Sequence, residues 1–165
     1  MSKNTKMLTL LGLLTSLAMI LSYVEFLLPP IFSAVPGIKL GLPNIVIIFA
    51  LYRLGVKEAM TVSFVRLCLS SILFGTPLTF AYSLAGAVLS LSVMILLKKT
   101  GWFSTVGVSV AGGVLHNLGQ IIVAVFVLGT AEIAYYMIIL TLTGTVAGIF
   151  VGASGAALLK YIKKI

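Results

Sequence analysis

Between Met7 and Tyr161 the chain is an almost unbroken succession of apolar runs, parted only by short stretches that hold charge, Gly or Pro. Crossing ~30 Å of hydrocarbon takes about 20 such residues, and no water-soluble globule is built from runs of this kind set end to end. Six are present, at 7–28, 44–54, 57–73, 79–97, 106–128 and 132–161. All predict helices, because in lipid each backbone N–H and C=O must be paired inside its own segment, and the alternating ten-residue pattern of barrel strands is missing. The expected fold is all-α, a six-transmembrane-helix bundle forming one integral membrane domain over 1–165. The length leaves no room for a second domain. The second run is short for a span even if it starts at Leu40, and the sixth is long enough to tilt or to leave the bilayer before Tyr161. The first follows Lys3 and Lys6 as a signal peptide would. Its 22 residues exceed the ~7–15 of a signal core, however, and no A-x-A site follows closely, so it reads as a retained span.

Charge sets the expected orientation. Six spans place both termini on one side, and Lys3, Lys6, Arg53, Lys57, Lys98, Lys99, Lys160, Lys163 and Lys164 then lie together, with Lys39 alone opposite. This positive-inside bias predicts a multi-pass cell-membrane protein with cytoplasmic termini. The net charge of +8 is thereby a topology signal and calls for no nucleic acid. Trp102 and the tyrosines at 23, 52, 82, 135, 136 and 161 fall near span ends, where amphipathic rings anchor.

What is missing excludes several chemistries. The acidic residues are Glu25, Glu58 and Glu132, with no Asp, so no aspartate-rich magnesium site can be assembled and no enzyme, metal or cofactor is expected. No GxxxxGK[ST] phosphate loop occurs, so any ATP-driven work falls to another chain. Cys68 is alone and reads as a small packing residue. Glu58 and Glu132, at helix starts, read as complements to the helix dipole.

Polar residues at membrane depth are the functional candidates. Arg66 sits near the middle of the third run, where a guanidinium costs ~2.5–3.5 kcal/mol and must face a partner or a wet cavity. On the fifth run, His116 and Gln120 stand one turn apart with Asn117 about 100° round from His116 and three residues before Gln120, giving one broad polar face. Neighbouring Ala111, Gly112, Gly113 and Gly119 turn that face toward another helix, as a binding surface or as interhelical glue. Glu25, one turn from the outer end of the first run, needs a partner such as Lys39, Arg66 or substrate. Residues 29–43, PPIFSAVPGIKLGLP, form the one long loop, a candidate lid, and Pro43–Asn44 suits a helix start facing the outer cavity.

Two small-residue faces remain. Gly144, Gly148, Gly152 and Ala156 recur at four-residue spacing, as in close helix packing within the bundle. A shorter version on the first run pairs Gly12 with Ser16 and Ala18 with Ser22, and suits either packing or contact with another membrane protein.

KLGLPN at 39–44, Arg66, SLAG at 83–86 and VSVAGGVLHNLGQ at 108–120 carry a resemblance that extends over essentially the whole chain. By these motifs it resembles the heptaprenyl diphosphate synthase component I family, also called Gx transporters. That family is in turn similar to the substrate-binding S components of energy-coupling factor (ECF) transporters. The resemblance implies six helices, a first loop acting as lid over an outward cavity, and capture of a vitamin or related nutrient. The pocket would then be lined by Glu25, Lys39, Asn44, Arg66, His116, Asn117 and Gln120, with a ligand that is small, organic, and anionic or quinone-precursor-like. Gly12, Ser16, Ala18 and Ser22 would meet a transmembrane coupling protein driven by ATPases. The rival reading is a non-catalytic membrane anchor or accessory subunit of polyprenyl diphosphate synthesis.

Overall fold

The structure is a computed structural model and describes residues 2–28, 41–129, 135 and 137–162. Lys39, Glu132 and most of the expected lid lie outside the described residues. Among those described, the chain forms six α-helices and no strand: α1 (Lys3–Leu27), α2 (Asn44–Arg53), α3 (Val56–Phe74), α4 (Pro77–Thr100), α5 (Thr105–Leu128) and α6 (Met137–Tyr161). Four of them, α1, α4, α5 and α6, are long and apolar enough to cross a membrane, which makes this a multi-pass membrane protein. The other two depart from a simple span. α2 has only ten residues, and α3 carries Lys57, Glu58 and Arg66 among its 19.

Local chemistry sets the helix ends. Ser2 and Ser104 cap α1 and α5 by accepting the amides of Thr5 and Gly107 at 3.1 and 3.2 Å. At α4 the cap is reciprocal: Thr76 Oγ1 accepts from Thr79 N, Thr79 Oγ1 accepts from Thr76 N, and Pro77 fills the first turn where no amide is needed. α4 and α5 stop at Gly101 and Gly129, whose φ of 71° and 65° suit a residue without a Cβ.

The core is organised around α2. Val46 to Leu51 are buried at every position, so this helix has no solvent- or lipid-facing side, as expected of a segment apolar all round. It packs against α1, α3 and α6. Its apolar cluster gathers Leu14 and Ala18 of α1, Ala59 and Val62 of α3, Met94 of α4, Val108 of α5 and Val151 of α6. At its C-terminal end Lys98 Nζ donates to the carbonyl of Leu51 at 2.5 Å, placing a cation where the helix dipole is negative. Beside it Arg53 Nη2 donates to the carbonyl of Ile162 at 2.8 Å. Outward faces are apolar, with Leu8, Ile72, Phe126 and Ile138 more than two-thirds exposed, as suits a lipid-facing surface.

α5 is clasped on both sides through glycines. A Cβ at Gly148 would lie 2.5 Å from Val110 Cα, and one at Gly152 would lie 2.7 Å from Val106 Cα. Gly119 meets the carbonyl of Ala85 on α4 just as closely, at 2.7 Å. The expected face of Gly144, Gly148 and Gly152 thus packs on α5. Each four-residue step overshoots a 3.6-residue turn by about 40°, so the row drifts, and in the last turns Gly155 lies close against Ile48 of α2.

Replacing Gly148 with Ala should destabilise the bundle by about 1–3 kcal/mol, since the clash is with backbone that cannot yield. Gly12→Ala, which meets nothing within 4 Å, should be neutral or up to ~1 kcal/mol stabilising. Thermal unfolding of both variants in detergent checks the contrast.

Candidate functional site

Five segments bring polar groups to one hollow near the N-terminal end of α2. Ser22 and Glu25 come from α1, Gly41 and Asn44 from the start of α2, Arg66 and Ser70 from α3, Ser83 from α4 and His116 from α5. Phe74 closes one flank, its ring packed against Tyr23 and Phe26 with centroids 5.8 and 5.3 Å away. The hollow holds about 40 Å³. A second, of about 30 Å³, lies beyond it between α4, α5 and α6, lined by Ser90, Met94, Ser109, Gly113, Asn117 and Gly144 among others. Gly41, Asn44 and His116 line both, so the two chambers share a wall.

The charged pair is the most costly feature here. Arg66 and Glu25 are each 8% exposed. Glu25 Oε1 accepts the amide of Gly41, which ties α1 to the residues that precede α2. Its charge also acts on Arg66. No described residue takes the hydrogen of Arg66 Nε, an orphaned donor on the most polar side chain of the bundle. A buried donor left unmade costs on the order of 1–3 kcal/mol, so the position of Arg66 is not explained by packing alone.

The polar face of α5 divides its labour. His116 lines both chambers, with its ring held against Gly86, where a Cβ would come within 2.9 Å of Nδ1 and Cε1. Gln120 lines neither. Its Nε2 lies 3.3 Å from His116 Nε2, so it orients the imidazole from behind. Asn117 reaches only the second chamber, and its Nδ2 donates to the carbonyl of Leu140 at 2.7 Å, pinning α5 to α6.

The structure separates the residues expected on the partner-facing side of α1. Gly12 and Ser16 point outward. Ala18 and Ser22 are buried inside the bundle, and Ser22 lines the first chamber. Each lies six residues beyond its counterpart, a rotation of about 240° at 3.6 residues per turn, which carries the second pair to the buried side of α1. Sequence reasoning missed Ser70, Ser83, Ser90 and Ser109 as lining residues. Serine is common in membrane helices, and only Ser83, inside SLAG, and Ser109, inside VSVAGGVLHNLGQ, had a signal attached to them.

Among the described residues, no three of His, Cys, Asp and Glu cluster as metal ligands would. What the site can do is bind: it offers a permanent cation, a carboxylate, an imidazole, an amide and hydroxyls in a hollow walled by apolar helices. No curated protein and no solved structure matches the chain. The model of one family, described as heptaprenyl diphosphate synthase component I, matches residues 14–158, nearly the entire chain and all the segments that line both chambers, and the chain belongs to that family.

Proposed function

We propose that this protein is a membrane substrate-capture subunit, similar to the S components of ECF importers, that takes a small organic solute from outside into the chambers around Arg66 and His116. The observation that carries this reading is the convergence of Glu25, Asn44, Arg66 and His116, from four helices, on one hollow. Structural glue would pair such groups helix to helix, as Asn117 does with Leu140. Arg66 Nε instead has its hydrogen directed at no described residue. In this reading all six helices cross or enter the bilayer, the termini are cytoplasmic, and residues 29–43, with Lys39, cap the hollow from outside. Gly12 and Ser16, the outward members of the α1 pairs, are the contact for a transmembrane coupling protein whose ATPases supply the energy.

The family's description favours a second reading, an accessory membrane subunit that accompanies a prenyl diphosphate synthase component. The readings part at the site residues. An anchor has no use for an open polar hollow, and substituting its lining would alter stability alone.

Native mass spectrometry of gently purified protein should show a bound small molecule together with coupling subunits. Arg66→Ala should fold and yet reduce ligand occupancy about tenfold or more, the loss of one charge-assisted hydrogen bond of ~1.5–3 kcal/mol. His116→Ala should weaken retention by a smaller factor. If both variants change only the thermal midpoint, and a synthase subunit co-purifies in place of a small molecule, the accessory reading replaces capture.

A further inference from the structure

On the lipid-facing side of the seam between α3 and α4, we propose a site for one anionic phospholipid. Its acyl chain lies in the groove that Met60, Phe64 and Leu67 of α3 form with Leu84, Val88 and Ile95 of α4, and its headgroup rests on Lys57 and Lys99. The groove shares no lining residue with either chamber, so the site stands whether or not they capture a solute.

The groove is a consequence of side-chain size. Ser63, Leu67 and Ala87 are buried in its floor, and two of the three are small. Met60, Phe64 and Val88, each more than half exposed, stand along its rims. The furrow between them holds about 160 Å³, against about 40 Å³ in the first chamber, and only Ser63 and Ser92 among its described lining residues are polar. A hydrocarbon chain laid there makes dispersion contacts along its whole length. Its extent also suits a chain. From Leu84 to Ile95 the wall runs about 16 Å at 1.5 Å per residue, close to half of the ~30 Å hydrocarbon thickness and so the depth of one leaflet.

Charge selects the headgroup. α3 and α4 are joined through Gly75 and Thr76 and run back alongside each other, so Lys57 and Lys99 lie at the same end of the groove. Lys57 precedes Met60 by three residues, and Lys99 follows Ile95 by four and Ser92 by seven. These spacings keep side chains on one helix face, so both lysines continue the groove's own walls. Both are exposed, and among the described residues neither ammonium has a hydrogen-bond or ion-pair partner. Lys98, by contrast, is engaged by the carbonyl of Leu51 and the face of Tyr52, its Nζ 5.0 Å from the ring centre. Neither described carboxylate offsets the pair. Glu25 lines the first chamber, and Glu58, about 200° round α3 from Met60, curls back over Gly55, where a Cβ would lie 2.8 Å from its Oε2. Two lysines at the mouth of an apolar groove between helices suit a phosphate-bearing headgroup, their stems lying along hydrocarbon and their ammonium groups reaching the phosphate. The other opening on this seam, lined by Cys68, Ile72 and Phe80 among others, has no lysine or arginine in its walls and receives no such assignment.

The test uses the full chain in detergent, with dioleoyl phosphatidylglycerol and dioleoyl phosphatidylcholine as probes, read by native mass spectrometry and thermal shift. One phosphatidylglycerol should stay bound, raise the melting point and outcompete phosphatidylcholine by about tenfold or more. Lys57→Gln combined with Lys99→Gln should erase that preference and leave the fold intact, since both residues are exposed. Lys3→Gln combined with Lys6→Gln, an equal loss of charge elsewhere, should leave it unchanged. Val88→Trp fills the groove and should lower retention of both lipids, whereas Ile72→Trp, at the other opening, should not. Equal binding of the two lipids overturns the inference, as does a preference that survives the paired Lys57 and Lys99 substitution or falls equally with that of Lys3 and Lys6. Retention untouched by Val88→Trp, or lowered as much by Ile72→Trp, overturns it too, because the chain then lies elsewhere. So does a protein subunit that co-purifies with the unaltered chain, is lost in Val88→Trp and excludes both lipids.

Discussion

A guanidinium that cannot lose its proton sits 8% exposed among helices whose outer faces are apolar, and the architecture around it reads as the consequence. Such a charge needs an opposite charge, hydrogen-bond acceptors or water within reach. The bundle supplies them by bringing Glu25 from α1, hydroxyls from three helices and His116 from α5 to the same depth. A hollow is therefore built into the bundle, and the helices that wall it need another source of cohesion.

That cohesion comes from two places. α2 acts as an apolar plug beneath the hollow, buried on all sides and held at its C-terminal end by Lys98. The α4–α5 and α5–α6 seams close through glycines, because without a hydrophobic drive between helices in lipid, dispersion at close approach is what remains to hold them. The same glycines serve the site. Gly86 gives the imidazole of His116 its space, and Gly113 and Gly144 leave the second chamber unfilled by side chains.

Most of the helices were readable from the chain, since apolar runs ended by Gly101, Gly129 or the Gly75–Thr76–Pro77 turn leave little choice of boundary. That Arg66 and His116 look inward was readable too, because the cost of a polar group in hydrocarbon has one sign everywhere. Which polar residues meet was not. His116, Asn117 and Gln120 share a helix face by spacing, yet the helix opposite each differs, so one lines the hollow, one pins α6 and one props the ring from behind. Likewise the two pairs on α1 look alike in sequence and differ in which side of the helix the bundle buries. Such differences are set by helix rotation within the bundle, a quantity that periodicity leaves open when all faces are apolar.

The position of the hollow also follows from unequal packing. α4, α5 and α6 are locked together by backbone-to-backbone contact through glycines, whereas α1 and α3 meet their neighbours through larger side chains, including the Tyr23, Phe26 and Phe74 rings. Parting two helices costs more the more closely their backbones approach, because dispersion attraction falls away steeply with distance. The locked trio is therefore the rigid half, and the seam between α3 and α4 the yielding one. The first chamber lies on that boundary, with Glu25 and Arg66 on one side and Ser83 and His116 on the other. In the capture reading, a ligand that bridges them stitches the two halves together, and its binding energy acts at a seam that can move without breaking a helix-to-helix glycine contact.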